Sequence, residues 1–372
     1  MRRNCKVEAT MHKRILTLGI LILLTYSIII PIILGSNIAI TNTTDKLLNQ
    51  FNNGNILFVG GIGPNNYTSI QDAIDNSSDG NTVFVFDDSS PYYENLDMNK
   101  SINLIGENRE TTIIDSGINK IVLNITKNFL NFSGFTLTNN ASYWLGYYGI
   151  YLRSDCNHIF NNIINLSDGI GIFLNSNNNV ISSNIISNSF TGILLHNCCN
   201  NTVSGNIISK NNWGIELGLS TDNIISGNTI SSSVWRGVSL HGWSHKNIIT
   251  KNIIISNNWS GISLILCNQN IISNNNIENN ENSIGLLDSH FNKIKNNNII
   301  GNKLDPHFKD SIANQWKGNY WGRNRNLPKF IFGSLVLLEP PAHVPGLFIK
   351  IPWINVDLFP AKGPYNIPRF AI

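Results

Sequence analysis

The sequence predicts an all-β chain wound as a single-stranded parallel β-helix. Three observations carry this. Asn (62 residues) and Ile (58) make up about a third of the 372 residues. Asn is a poor helix former and Ile is β-branched, which excludes long helices as the main architecture. The pattern N-x-[IV]-x-x-N-x-I recurs with its first Asn at Asn157, Asn179, Asn201, Asn223, Asn247, Asn270 and Asn292, in steps of 22 to 24 residues. The pattern G-[IV]-x-L recurs beside it from Gly149, Gly171, Gly192, Gly214, Gly237 and Gly261, with Ser283 replacing Gly in the last copy. Apolar residues two apart are a strand signal. A period near 22 residues with three short strands is one coil of a parallel β-helix. A leucine-rich repeat would need L-x-x-L-x-L with one Asn, which these repeats lack. Equivalent residues then stack about 4.8 Å apart, Ile inside and Asn at the turns, where left-handed backbone and amide ladders are expected.

The elements follow in order. Basic residues precede an apolar run from Ile15 to Leu34, long enough to span a bilayer. Residues 1–36 therefore read as a signal-anchor or a signal peptide, with the bulk of the chain outside the cytoplasm, on the extracellular face of the cell membrane or secreted. Residues 37–66 read as a linker. Residues 67–302 read as the β-helix with its N-terminal cap, a short helix Ser69–Asp75 started by a capping box of Thr68 and Gln71. Thr82–Phe86 reads as the first strand. Residues 303–372 hold nine of the twelve prolines and read as a Pro-rich cap or wrap.

Charge belongs to the leader. Five basic residues lie in the first 14, and the rest of the chain carries 21 basic and 22 acidic groups. No basic stripe supports nucleic-acid binding. The expected state is a monomer bound to a polysaccharide or other glycan, with the membrane contacted through the N-terminal segment.

The repeat resembles the NosD-type (periplasmic copper-binding) β-helix family. It also resembles carbohydrate-binding and sugar-hydrolysis β-helix domains of pectin-lyase-like fold. Further similar features are Ser69-Ile70-Gln71-Asp72-Ala73-Ile74, Ile105-Gly106-Glu107 and Asn319-Tyr320-Trp321-Gly322. The resemblance spans roughly 55 to 325 and implies a right-handed winding. It also implies a polysaccharide lyase, hydrolase or epimerase as the enzymatic alternative, which would place several carboxylates on one outer face. Copper does not carry over, because no matching metal motif is present.

The acids of the repeats do not stack by coil. Glu216, Asp222 and Asp288 are the catalytic candidates, and no Asp-Asp or Asp-x-Asp occurs among the repeats to hold Ca2+. No cofactor is expected. Aromatic residues are better organised. Phe190 lies six residues after the second Asn of its copy, and Trp213, Trp235 and Trp259 each lie seven after theirs. They predict an aromatic column for sugar rings, helped by Arg236 and His241. His196 and His241 follow the Leu of G-[IV]-x-L two coils apart, about 10 Å by strand spacing. His196, Cys198 and Cys199 are the metal candidates. The reading is therefore an exported β-helix that binds glycan without catalysis. A structural or adhesive surface role and a copper-related NosD-like role stand as alternatives.

Overall fold

The computed structural model describes residues 55–139, 146–336 and 350–368. The expected signal segment 1–36 lies outside the described residues. Each coil has three parallel walls. A coil in the middle of the chain shows them as Thr202–Ser204, Ile207–Ser209 and Trp213–Gly218. Each strand pairs with its equivalent one coil away in unshifted register: Val180↔Thr202↔Ile224, Ile185↔Ile207↔Thr229 and Thr191↔Trp213↔Arg236. The second wall is a continuous nine-stranded sheet.

The core is the predicted Ile ladder. Ile159, Ile181, Val203, Ile225, Ile249, Ile272 and Ile294 stack on the first wall with no exposure, and Ile164 to Ile277 do so on the second. Each such side chain contributes about 1.5–3 kcal/mol on burial. The Gly of G-[IV]-x-L has a steric cause. A Cβ at Gly214 would meet Gly237 O at 2.4 Å and Ile230 Cγ2 at 2.6 Å.

The Asn ladders bond coil to coil from inside. Asn201 donates its backbone N–H to Asn223 Oδ1 at 2.9 Å, and Asn223 does the same to Asn247 Oδ1 at 3.0 Å. The left-handed residue is not the ladder Asn but the one before it: Asn178, Asn200, Asp222, Lys246, Gln269 and Phe291 on one corner. The chain reverses at that residue, which lets the next Asn turn inward. A third ladder, Asn257, Asn280 and Asn302, lies at the entry to the third wall and accepts the Ser233 backbone N–H at its start; Asn211 holds the same place two coils earlier and accepts from Ser189 N.

The ends differ from expectation. Part of the stretch read as linker is a strand, Ile56–Val59, paired with Thr82–Val85, so Thr82–Phe86 is not the first strand. The helix α1 (Ile70–Asn76) is capped by Ser69, not by a Thr68–Gln71 box. Glu94 accepts the Ile70 and Gln71 amides at 2.8 and 2.9 Å, filling orphan donors of that turn from a distant loop. Coil strands continue past residue 302, at His307–Lys309 and Gln315–Lys317. An antiparallel pair, Lys329–Val336 with Lys350–Asp357, then covers the last coil. Asp357 is fully buried and ends an Asn ladder. Its carboxylate accepts from Gly318 N, Asn319 N, Asn319 Nδ2 and Trp321 Nε1 at 2.9 to 3.3 Å.

Candidate functional site

The candidates gather on the outer surface of the third wall. Along the strand Ile215 and Leu217 are buried and Trp213 and Glu216 are not, the consecutive buried pair Gly214–Ile215 interrupting simple alternation between Trp213 and Glu216. Register then builds columns. One runs Tyr148, Ile170, Thr191, Trp213, Arg236, Ser260. The next runs Tyr151, Phe173, Leu194, Glu216, Ser239, Ser263. The last runs His196, Gly218, His241.

The aromatic residues do not form the single column that counting suggested. Trp213 pairs in register with Arg236, while Trp235 and Trp259 precede their strands. The cause is one additional residue between Ser231 and Arg236 compared with Ser209 to Trp213. The rings meet edge to face, Trp213–Trp235 at 5.1 Å and 85°, Phe190–Trp235 at 5.7 Å and 88°. That arrangement satisfies the ring quadrupoles better than a flat sandwich. Arg236 fills the space beside them, its Cζ 4.9 Å from the Trp213 ring and 5.7 Å from Trp259. Trp235 is 36% and Trp259 55% exposed. Burial lowers the Arg236 pKa and the nearby Glu216 opposes that; an Arg stays charged at neutral pH regardless.

Glu216 sits at the centre, half-buried. Thr191 Oγ1 donates to its Oε2 at 3.5 Å, and His241 Nε2 lies 3.0 Å from its Oε1. The latter contact is close but lacks hydrogen-bond alignment, so His241 Nε2 has no aligned acceptor among the described residues. His196 and His241 are nearer than their backbones. A Cβ on the intervening Gly218 would lie 3.1 Å from His196 Nδ1 and 2.8 Å from His241 Cε1. Both rings lean over that glycine, which corrects the separation expected from strand spacing.

Other candidates do not join this group. Asp222 and Asp288 occupy left-handed positions, φ 58° and 47°, in the turns from third to first wall. They share no column with Glu216 on the third wall. The metal candidates also part. Cys198 is buried beside Ser220, its thiol pushed up to about 11 by burial, while His196 faces outward on the third wall. Cys199 is half-buried in the turn, with Asn200 Nδ2 at 3.6 Å from its Sγ.

A second aromatic group was missed. Tyr148, Tyr151 and Phe173 contact one another at 4.9 to 5.3 Å on the same wall, with Arg153 Cζ 4.8 Å from the Tyr151 ring. Phe173 reaches His196 at 6.4 Å. The signal was available: the variable residue of G-[IV]-x-L is Tyr151, Phe173, Leu194 and Glu216 in turn, and that position must face out.

Residues 119–265 match the family described as right handed beta helix region. The chain is a right-handed parallel β-helix protein. Residues 220–328 match the family described as periplasmic copper-binding protein (NosD). The Dettilon tailspike protein superposes with TM-score 0.54 and 16% identity over 72% of this chain, which spans 61% of that one. The A-module of Azotobacter vinelandii mannuronan C-5 epimerase AlgE6 gives 0.52 and 13%, over 69% of this chain and 82% of that one. XylC in complex with xylose gives 0.56 and 10%, over 66% and 69%. At such identities the likeness shows the fold. None of the curated proteins matches the chain. The residues of this β-helix do not fit a copper site: the soft donor Cys198 points into the core, His196 points out, and no group of three or more His, Cys, Asp or Glu is placed to hold a metal among the described residues.

Proposed function

We propose that this β-helix is exported to the periplasmic or extracellular side and binds polysaccharide across its third wall. The observation that carries the reading is the ridge of Trp213, Trp235 and Trp259 with Arg236 between rings. It runs across three successive coils, and its edges reach solvent. Indole faces suit the apolar face of a pyranose, and a guanidinium held among them supplies planar donors to hydroxyl or carboxylate oxygens. The periplasmic description of the NosD family and the polysaccharide-epimerase neighbours support the setting and the ligand class. The test is affinity electrophoresis against neutral and acidic polysaccharides. The double variant Trp235→Ala, Trp259→Ala should lose retardation on at least one polymer that retards the parent. Equal retardation of parent and variant on every polymer would refute it.

The paired Glu216 and His241 favour a second reading, a polysaccharide-modifying enzyme. A carboxylate 3.0 Å from an imidazole, next to an aromatic ridge, has the components of a general acid–base pair. Release of unsaturated or reducing ends, abolished by Glu216→Gln, would establish it.

A further inference from the structure

The last coils carry a second surface, on a different wall from the tryptophans. On the first wall one outward column runs through Ser226, Thr250 and Ser273, then changes to Lys295 and Lys317. The other runs through Ile248 and Ile271, then changes to Lys293 and Gln315. Two neutral columns, flanked in the Ile248–Thr250 coil by Lys246 and Lys251 at the corners, thus take on three exposed lysines within two coils. Lys295 and Lys317 are direct register partners, one strand spacing of about 4.8 Å apart at the backbone. Like charges placed directly opposite on neighbouring strands cost stability. Among the described residues none of the three has an ion-pair partner; the nearby ion pairs use Lys303, Lys309 and Lys329.

A shallow groove of about 390 Å3 opens beside them, lined by Gln269, Ile271, Phe291, Lys293, Ala313 and Gln315. Phe291 is held at φ 56° and is 57% exposed. Asn178 and Asn200 hold the same corner in earlier coils at the ordinary cost of an Asn, and Lys246, Gln269 and Ala313 hold it at φ 57° to 60°. The corner imposes this backbone on whatever residue stands there; at Phe291 it turns a large apolar ring out to solvent, where the ring gains nothing from the core. The adjacent His290 accepts the Ile312 amide on Nδ1 at 3.1 Å, which leaves Nε2 as the proton-bearing donor.

We propose that this groove binds a segment of an acidic oligosaccharide. The Phe291 ring takes a sugar face, the amides of Gln269 and Gln315 take hydroxyls, and Lys293, Lys295 and Lys317 neutralise carboxylate or sulfate groups. The lysines are spread along two columns instead of converging on one point, which suits a chain of anionic groups better than a lone phosphate. The site stands apart from the tryptophan ridge and does not depend on it.

The test uses the full-length chain in non-ionic detergent, with a short oligogalacturonate and its neutral methyl ester as calorimetric probes. The oligogalacturonate binds, and binding weakens as salt is raised. Binding falls at least about tenfold in Lys295→Gln, Lys317→Gln, since each charge-assisted contact is worth that much, and it also weakens in Phe291→Ser through loss of the ring contact. The lysine-dependent part of the binding persists when Trp235→Ala, Trp259→Ala is the background, and the ester binds at least about tenfold more weakly. The proposal is overturned by equal binding of the ester, by parent-like binding of the lysine variant, or by loss in the tryptophan variant alone. Inorganic phosphate binding as tightly as the oligosaccharide would overturn it too, as would adsorption to phosphatidylglycerol vesicles without oligosaccharide binding.

Discussion

Replacing Asn223 by alanine tests whether the inner amide ladder holds the coils together. Asn223 is fully buried. Its Oδ1 accepts the Asn201 backbone N–H at 2.9 Å and Asn201 Nδ2 at 3.1 Å. Its Nδ2 donates to Cys198 O, Thr221 O and Asn247 Oδ1 at 3.0 to 3.2 Å. Not every lost bond leaves an orphan. Asn201 Nδ2 keeps Ser176 O, Cys198 O keeps the Thr221 amide, and Asn247 Oδ1 keeps the Asn223 amide. The Asn201 N–H has no second acceptor and sits away from water. An orphaned buried donor costs about 1–3 kcal/mol, and each ordinary bond lost about 1 kcal/mol more. With the two Nδ2 protons counted as two bonds, and Asn201 Nδ2 left with its second acceptor, the sum is about 3–5 kcal/mol. Asn188→Ala is the control: it lies at φ 58° on an exposed turn, where its side chain gives one solvent-exposed bond from Nδ2 to Asn165 Oδ1 at 2.7 Å and leaves no buried orphan, and it should cost about 1–2 kcal/mol, mainly through backbone strain. Urea unfolding followed by circular dichroism gives both values. Because a solenoid unfolds piecewise, amide exchange at Asn201 is read alongside and should quicken selectively in Asn223→Ala. If Asn223→Ala loses no more than Asn188→Ala, and the Asn201 amide keeps its protection, the ladder is not what joins the coils.

Other outcomes follow from the same structure. Gly214→Ala forces a Cβ against Gly237 O and Ile230 Cγ2 and should cost about 1–3 kcal/mol or more, measured as a fall in thermal midpoint, whereas Gly80→Ala, with open space around it, is strained only by its left-handed backbone and should lower the midpoint less. Burial depresses His158 from 6.5 to about 4. The unfolded chain therefore binds the extra proton first, so stability declines as pH falls from about 6.5 to about 4 and levels off below. With about 1.4 kcal/mol per pKa unit, the loss amounts to about 3 kcal/mol; His158→Gln should flatten that limb of a pH–stability curve. Arg236→Lys keeps the charge but loses the planar group beside Trp213 and Trp259. Polysaccharide retardation should weaken as it does for Arg236→Ala, since an ammonium does not stack.

The winding of the chain was readable because each structural constraint repeats. Ile at positions 159, 181 and 225 must face inward in every coil, and a Gly must sit where Gly192 and Gly214 approach the neighbouring carbonyl. What repeats with a fixed period announces itself. The end of the solenoid could not be read that way. Asp357 completes the Asn319 rung from 38 residues away, and nothing local to Asp357 marks it as a substitute for the next Asn. Glu94 capping α1 is the same kind of non-local substitution.

The site shows a finer limit. Which wall bears the aromatics was legible, because Trp213, Trp235 and Trp259 all lie close to G-[IV]-x-L. Their mutual geometry was not, because it depends on the length of one turn. Counting from Asn228 fixes the second wall, yet the third wall begins one residue later at Arg236 than the preceding coil's Trp213 start would suggest. That extra residue moves Trp235 out of the Trp213 column and puts Arg236 in its place, turning an expected flat stack into a ridge with a guanidinium between indoles. Counting from Gly214 and Gly237 would have given the right register, since the glycine is tied by close contact to the next coil and the Asn is tied to a different wall. A side chain in a β-helix is therefore best placed from the nearest residue whose position a steric clash enforces. By that rule the outward column of Tyr151, Phe173, Leu194 and Glu216 follows directly from the glycine two residues before each of them.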